Sequence, residues 1–290
     1  MKLGFIGLGV MGAPMAAHLV AAGHDVSGFD VTAAAGEKLR AAGGRAAANV
    51  ADAVAGADVV ITMLPNHPQV EAVVLAAGGV LDAAAPGTLL IDMSTIRPET
   101  SIEVANLARD KKIRVLDAPV SGGQAGAEQA ALSIMVGGDA ADFEAAKPLF
   151  AALGKTIVHV GPHGAGQVVK AANQLVVGGI YGLVAEAIVL LEASGVDAAT
   201  GLDVLAGGLA GSRILELKRQ SMVDRQFAPG FRIDLHHKDM GIALAAARQA
   251  DVSLPVTGLV AQLVAAARAM GHGGLDHSAL LKVTEQLSGR

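Results

Sequence analysis

Short apolar runs alternate with alanine-rich helical stretches through the first half of the chain. The first run, 3–6, is apolar and bounded by Gly7, which is typical of a parallel strand buried on both faces. The predicted strands are 3–6, 25–29, 59–64, 89–92, 114–117, 132–136 and 156–160, with the last two at a mixed edge. Strands that alternate with helices predict an α/β domain with a parallel, doubly wound sheet.

The pattern changes at a cluster of glycine and proline residues between 161 and 166. Beyond it no stretch has the pattern of a strand, and glycine and proline separate long helical segments instead. The predicted helices are 167–193, 197–206, 213–222, 234–250, 256–270 and 276–288. The sequence therefore predicts two domains, an α/β domain over 1–162 and an all-α domain over 163–290.

Composition excludes several classes of protein. With 52% hydrophobic and 17% charged residues in 290, the chain is not intrinsically disordered. A net charge of −5 and 2% aromatic residues argue against a nucleic-acid partner. The absence of cysteine excludes disulfides, thiolate catalysis and cysteine-ligated metals, and it is consistent with a reducing cytoplasm.

A membrane partner is not expected either. The most apolar stretch, 175–193, contains Glu186, Glu192 and several glycines, so it is interpreted as a buried helix of a soluble protein. The apolar N-terminus is interrupted by glycines and has no evident signal-peptide cleavage pattern. The expected location is cytoplasmic.

A glycine-rich motif follows the first predicted strand and opens the first predicted helix. Its residues are Gly7, Leu8, Gly9, Val10, Met11 and Gly12, in the pattern G-x-G-x-x-G. In this context the glycines allow a tight turn, close approach of a pyrophosphate and close packing of helix on strand. The helix N-terminus attracts the phosphates. The alternative is a glycine turn that only closes a strand–helix unit.

Polar and loop-forming residues follow the ends of the other strands. Asp30 ends the second strand, where a carboxylate binds the ribose 2′-OH of NAD and repels the 2′-phosphate of NADP. The same edge is expected to carry further cofactor or substrate residues, namely Met63, Leu64, Pro65, Asn66, Ser94, Thr95, Ser121, Gly122 and Gly123. Ordinary turns and helix caps remain the alternative for each of them.

A lysine lies on an otherwise apolar helix. Lys170, Asn173 and Gln174 have the spacing i, i+3 and i+4, so they share one face. A lysine whose pKa is tuned by burial and neighbouring groups can donate or accept a proton, whereas the alternative is a lysine whose amine reaches solvent. Lys238 is either a cofactor contact or part of a solvated helix face. No metal site is expected, because no third ligand is suitably spaced near His236 and His237.

Five stretches, taken in order, resemble the β-hydroxyacid dehydrogenase family. They are FIGLGVMGAPMAAHL, ITMLPNHPQV, LIDMSTI, LDAPVSGGQAGAEQAALSIMVGGD and GAGQVVKAANQ. Three more, GGLAGSRILE, FAPGFRIDLHHKDM and DHSAL, resemble the branch of that family that reduces a small carboxylic-acid semialdehyde. The resemblance implies a Rossmann domain, a long interdomain helix and a helical domain that builds homodimers or homotetramers.

The resemblance also implies roles for single residues. Lys170 is the implied catalytic lysine, with Asn173 as its polar partner. Ser121, Gly122 and Gly123 are implied to bind the substrate carboxylate, and Lys170 and Asn173 are also implied to contact the substrate. Implied cofactor contacts include Leu64, Pro65, Thr95 and Lys238.

Cofactor and reaction are less closely defined. Asp30-Val31 stands where NADP-preferring members tend to carry Asn-Arg, which favours NAD, with NADP less preferred. A dehydrogenase for another small 3-hydroxy acid, an imine reductase and a non-catalytic dinucleotide-binding module remain as alternatives.

Overall fold

The first part of the chain is built on one nine-stranded sheet. The strands are β1 (Lys2–Ile6), β2 (Asp25–Phe29), β3 (Arg45–Ala46), β4 (Val59–Thr62), β5 (Leu89–Asp92), β6 (Arg114–Asp117), β7 (Val120–Ser121), β8 (Leu132–Gly138) and β9 (Gly154–Gly161). They lie in the order β3-β2-β1-β4-β5-β6-β8-β7, and β9 pairs with β8.

The pairing confirms the predicted doubly wound sheet. The six strands from β3 across to β6 are parallel, whereas β8 runs antiparallel to β6 and forms a mixed edge. The chain order reverses between β1 and β4, since β1 leads to β2 and β3 on one side and β4 begins the other. In open α/β sheets, ligands bind beyond the carboxyl ends of the strands at this switch point.

Both faces of the sheet are covered, as the continuous apolar strands require. Successive side chains point to opposite faces. Leu3, Phe5 and Ile61 therefore join one core cluster, while Ile6 and Val60 join another. The covering helices are α1 (Gly12–Ala21), α2 (Ala33–Ala41), α3 (Val50–Val54), α4 (His67–Val74), α5 (Val80–Ala83), α6 (Pro98–Asp110), α7 (Gly123–Glu128) and α8 (Ala140–Ala151).

The rest of the chain is helical, as predicted. Its helices are α9 (Ala165–Ala193), α10 (Ala198–Gly207), α11 (Arg213–Val223), α12 (Ile233–Gln249), α13 (Pro255–Ala267) and α14 (Leu280–Leu287). The predicted helix 256–270 changes at Arg268 into a π-helical turn through His272, where Gly271 has a φ of +84°. The predicted helix 276–288 starts instead with a short 3₁₀ turn, His277–Ala279.

A buried carboxylate fixes the chain between α11 and α14. Asp276 is 1% exposed and accepts hydrogen bonds from the backbone N–H groups of Gly230 and Phe231 at 2.9 and 3.1 Å. It also accepts one from the Ser278 hydroxyl at 2.7 Å, and Lys218 Nζ lies 3.1 Å from it. Since every one of these bonds would be lost with the carboxylate, Asp276 is expected to be important for stability.

The computed structural model describes residues 1–290, and its contacts divide the chain into Met1–Lys170 and Ala171–Arg290. The sequence places the domain boundary at 162. In the structure the Asp117 carboxylate accepts the N–H groups of Gly164 and Gln167 at 2.8 and 3.1 Å, which fastens the start of α9 to the end of β6. The first turns of α9 therefore belong to the first unit.

Helix α9 is also the one helix whose length and composition would suffice to cross a membrane. Its most apolar window has a mean hydropathy of 2.0, and 44% of that window is buried inside the protein. A core helix meets the same criterion of length and composition.

Candidate active site

The turn between β1 and α1 has the conformation that its three glycines permit. Gly7 has a φ of +98°, and a Cβ on it would collide with the carbonyl of Met63. A Cβ on Gly12 would collide with the carbonyl of Gly7, so the third glycine allows the helix to pack on the turn. Gly9, by contrast, is exposed and faces open space. The loop therefore leaves room for a ligand at its middle glycine.

The start of α1 suits an anion. No side chain caps its N-terminus, and its first turn carries no acidic residue. Backbone N–H groups and the helix dipole are thus left to interact with a negative group such as a pyrophosphate. The predicted dinucleotide cradle, Gly7 to Gly12, fits the phosphates of NAD on this geometry.

Asp30 is held in place by the same loop. Its Oδ2 accepts the N–H of Leu8 at 2.8 Å, and its Oδ1 accepts the N–H of Thr32 at 2.8 Å. The carboxylate remains partly exposed at the end of β2, beside Val31, which is 94% exposed. A carboxylate there can accept hydrogen bonds from a ribose and would repel a 2′-phosphate.

The next two strand ends are joined to one another. Leu64 N–H donates to Ser94 Oγ at 2.8 Å, and Met93 N–H donates to the carbonyl of Thr62 at 2.8 Å. This brings the predicted residues Met63 to Pro65 next to Thr95, at the same edge as the glycine-rich loop. Pro65 is exposed and Thr95 half-buried, so this edge is open to a ligand.

Two buried carboxylates that are not among the predicted site residues lie at the ends of two strands of this edge. Asp92 and Asp117 end neighbouring strands and are paired in register. Asp92 accepts the Thr62 hydroxyl at 2.7 Å and the Ser94 N–H at 3.2 Å, while its Oδ2 has no hydrogen-bond partner. Burial raises its pKa to about 6, and the neighbouring Asp117 contributes in the same direction. Burial also raises the pKa of Asp117.

The Ser121 segment has the backbone of a tight turn. Gly122 and Gly123 have φ values of +137° and +61°, which favour glycine at both positions. A Cβ on Gly123 would meet nothing within 4 Å, so conformation and not crowding explains that glycine. Ser121 ends β7 and is half-buried, and Gly122 is exposed. The turn thus presents backbone and a hydroxyl, and its role in binding a carboxylate stays a prediction.

Lys170 is 5% exposed, in the second turn of α9. That burial argues against the interpretation of a lysine whose amine reaches solvent. A buried amine must interact with polar groups. If a bound substrate is one of those groups, the amine can transfer a proton to or from it.

Within the second unit, described by itself, a chain of polar contacts starts at Asn173. Its Nδ2 donates to Gln174 Oε1 at 2.7 Å, and Gln174 Nε2 donates to Asp239 Oδ2 at 2.6 Å. Lys238 Nζ lies 3.0 Å from Asp239 Oδ1, and its side chain is 17% exposed. Lys238 is therefore mostly buried and ion-paired, which disfavours the solvated helix face. No cluster of three His, Asp or Glu side chains has the arrangement of a metal site.

Four buried polar residues were not among the predicted site residues, namely Asp92, Asp117, Gln167 and Asp239. A polar residue that ends a strongly apolar run, such as Leu-Leu-Ile-Asp at 89–92, is a signal that could have indicated the first two. Gln167 carries no such local signal, because the groups that its side chain binds are distant in sequence, and the contact of Asp239 with Gln174 is equally distant.

The fold and the glycine-rich cradle define a dinucleotide-binding protein, and comparisons with known proteins identify its family. Residues 2–161 match the model of the NAD-binding domain of 6-phosphogluconate dehydrogenase. Residues 164–284 match that of the NAD-binding domain of NADP-dependent 3-hydroxyisobutyrate dehydrogenase.

Whole-length relatives agree with these models. The chain is 42% identical to 2-(hydroxymethyl)glutarate dehydrogenase of Eubacterium barkeri, over 99% of this chain and 96% of that enzyme. It is 41% identical to 2-hydroxy-3-oxopropionate reductase of Escherichia coli, over 99% and 98%. A solved structure of Mycobacterium tuberculosis 3-hydroxyisobutyrate dehydrogenase with L-serine has a TM-score of 0.87 at 39% identity, covering 97% of each chain.

The chain belongs to the β-hydroxyacid dehydrogenase family. It is an NAD-dependent hydroxyacid dehydrogenase, and NADP also fits the matched domains.

Proposed function

We propose that this protein is a tartronate semialdehyde reductase, which reduces 2-hydroxy-3-oxopropanoate to D-glycerate with NAD(P)H in a reversible reaction. The observation that carries the proposal is the buried Lys170, on a helical turn fastened to the carboxyl end of β6, at the same edge of the sheet as the dinucleotide cradle. A non-catalytic binding module would have no need of an amine buried there.

The substrates in the relatives' names share one chemical unit. 2-(Hydroxymethyl)glutarate, 3-hydroxyisobutyrate and L-serine each have a CH₂OH group on the carbon next to a carboxylate. Reduction of 2-hydroxy-3-oxopropionate produces the same unit. These molecules differ only in the third substituent of that carbon, which is a carboxyethyl, methyl, amino or hydroxyl group. The relatives therefore support small acids of this type as the class of substrate, and they do not favour one member of the class over the others.

The hydroxyl-bearing member is proposed on the basis of three stretches outside the shared cofactor and catalytic segments. GGLAGSRILE, FAPGFRIDLHHKDM and DHSAL resemble the reductases of this substrate. A dehydrogenase for 3-hydroxyisobutyrate, with a methyl group in place of the hydroxyl, is the second candidate.

In the proposed mechanism the substrate is held at its carboxylate and protonated at its carbonyl oxygen. Bound NADH supplies a hydride to the aldehyde carbon. Lys170, as an ammonium, donates a proton to the oxygen on which negative charge develops, and in the reverse direction the neutral amine accepts the hydroxyl proton. Ser121 and the backbone of Gly122 and Gly123 bind the carboxylate, while Asn173 orients the reacting end.

A substrate panel tests the proposal. Tartronate semialdehyde and methylmalonate semialdehyde are reduced with NADH and with NADPH, and D-glycerate, 3-hydroxyisobutyrate and L-serine are oxidised with NAD. The highest kcat/KM is expected for tartronate semialdehyde and D-glycerate. A higher value for the methyl-bearing pair would replace the proposal with the second candidate, and no turnover of any member would refute it.

We also propose that the active form is a homodimer or homotetramer. Val176, Leu183 and Leu190 are spaced by seven residues on α9, so they lie on one face, and their exposed fractions are 54, 68 and 67%. A second copy of the chain would cover this apolar stripe. Light scattering after gel filtration is expected to give at least twice 29.0 kDa. Leu183→Glu should shift the mass towards that of the monomer, and a wild-type monomer would contradict the proposal.

A further inference from the structure

The side chain of Gln167 binds the chain on both sides of Thr95. Its Nε2 donates to the carbonyl of Ser94 at 2.9 Å, and its Oε1 accepts the N–H of Ile96 at 3.0 Å. These two backbone groups belong to the residues immediately before and after Thr95. A single side chain thereby fixes the peptide units on both sides of a residue that is expected to contact the cofactor.

The residue type is matched to this task. The carboxamide of glutamine offers one acceptor and two donors, whereas a carboxylate can only accept and an ammonium can only donate. Gln167, Ser94 and Ile96 are each at most 1% exposed, so water cannot replace a missing bond. The turn that carries Thr95 therefore depends on this amide for its place.

Gln167 is itself rigidly placed. Its backbone N–H donates to Asp117 Oδ2 at 3.1 Å, and Gly164 N–H donates to the other oxygen of that carboxylate at 2.8 Å. Lys170 follows three residues later, about one helical turn along α9. The same turn of helix thus holds Thr95 by a side chain and Lys170 by the backbone.

We propose that Gln167 is a positioning residue, which sets the Thr95 turn against the helical turn that bears Lys170. This inference rests on the proposed function, in which Thr95 contacts the cofactor and Lys170 transfers the proton. Small misplacements of reacting groups cost up to about 100-fold in rate, so the side chain should affect catalysis without touching a reactant.

Gln167→Met tests the inference, since methionine has a similar length and no hydrogen-bonding amide. The expected results are a kcat lower by about 10- to 100-fold and a Kd for NADH, measured by fluorescence without substrate, raised at least about threefold. Thr88→Val is the matched control. It removes a partly buried hydrogen bond, to the carbonyl of Ala57 at 3.2 Å, just before the opposite end of β5, and should leave both quantities within twofold.

A double-mutant cycle separates positioning from general stability. If Gln167 acts through the placement of Lys170, Gln167→Met should lower kcat much less in a Lys170→Ala background than in the wild type. An equal loss of kcat in both backgrounds, together with an unchanged Kd for NADH in Gln167→Met, would indicate a structural role and overturn the inference. Gln167→Glu, which keeps the acceptor for Ile96 but sets an oxygen against the Ser94 carbonyl, provides a second variant if Gln167→Met does not fold.

Failure of the inference differs from failure of the proposed function. Unchanged kcat and NADH affinity in Gln167→Met, with a wild type active on tartronate semialdehyde, would overturn only the role of Gln167. A wild type that binds NADH but turns over no acid would refute the proposed function. The NADH Kd of Gln167→Met would then still decide whether Gln167 positions the Thr95 turn.

Discussion

Replacing the buried Asp92 by asparagine should change how the stability of the protein depends on pH. Burial, and then the nearby Asp117, raise the pKa of Asp92 from 3.8 to about 6 in the folded protein. Folding therefore favours the protonated acid. The stability that this group contributes is fully present below about pH 4, is lost as the pH rises to about 6, and stays lost above that.

The size of the effect follows from the two pKa values. A rise from 3.8 to about 6 corresponds to about 3 kcal/mol of unfolding free energy. Asparagine is neutral throughout and its oxygen can still accept the Thr62 hydroxyl. Its NH₂ group would occupy the place of Oδ2, which has no partner, at a cost of about 1–3 kcal/mol that does not vary with pH. In the variant, Asp117 no longer has a negatively charged neighbour. This also makes the variant more stable relative to the wild type as the pH rises.

Urea unfolding followed by circular dichroism between pH 4 and pH 7.5 measures this directly. The unfolding free energy of Asp92→Asn relative to the wild type should rise by about 3 kcal/mol in total. Most of the rise should occur between about pH 4 and pH 6, and the difference should level off above that. Asp25→Asn, at an exposed position, controls for the removal of one negative charge. A difference between Asp92→Asn and the wild type that is constant over the whole range would refute the reasoning.

Three further predictions concern the cofactor, the substrate and the helical unit. NADH should give a higher kcat/KM than NADPH, and Asp30→Asn, which keeps an oxygen for the Leu8 N–H, should reduce that preference; a wild type that prefers NADPH would show that Asp30 has another role. Ser121→Ala should raise the KM for the acid substrate and leave the Kd for NADH nearly unchanged, whereas equal losses of both would favour a structural role. Asp276→Ala should lower the unfolding free energy by about 2–4 kcal/mol, because the groups that donate to the Asp276 carboxylate, such as the Gly230 N–H, lose a buried acceptor. A loss below about 0.5 kcal/mol would contradict this.

Much of the fold could be predicted because its signals are local. The predicted strands 25–29, 89–92 and 114–117 coincide with β2, β5 and β6. The last two are rich in apolar residues because they are buried on both faces, whereas in β2 buried and less buried positions alternate. The two-residue strands β3 and β7 were missed, because so short a pairing leaves no pattern. The run 59–64 ends as a strand at Thr62, two residues early, since Met63 and Leu64 turn into the edge of the site.

The candidate site was predictable only in part. The glycine-rich cradle and Asp30 follow from motif and spacing, and Ser121, Lys170 and Asn173 follow from residue pattern together with resemblance. The roles of all these residues stay predictions. The buried polar layer could not be foreseen. Gln167 contacts backbone 71 and 73 residues away, and such pairings depend on which strand ends become neighbours.

Turnover of tartronate semialdehyde by Lys170→Ala is the most direct test of the account. Proton transfer by a positioned group contributes about 10²–10⁴-fold, so kcat should fall by at least about 100-fold. The Kd for NADH and the unfolding free energy should remain close to wild type, and Lys170→Arg should not restore the rate, because a guanidinium does not release its proton at neutral pH. A Lys170→Ala protein with near wild-type turnover would remove the lysine from the mechanism and contradict the account.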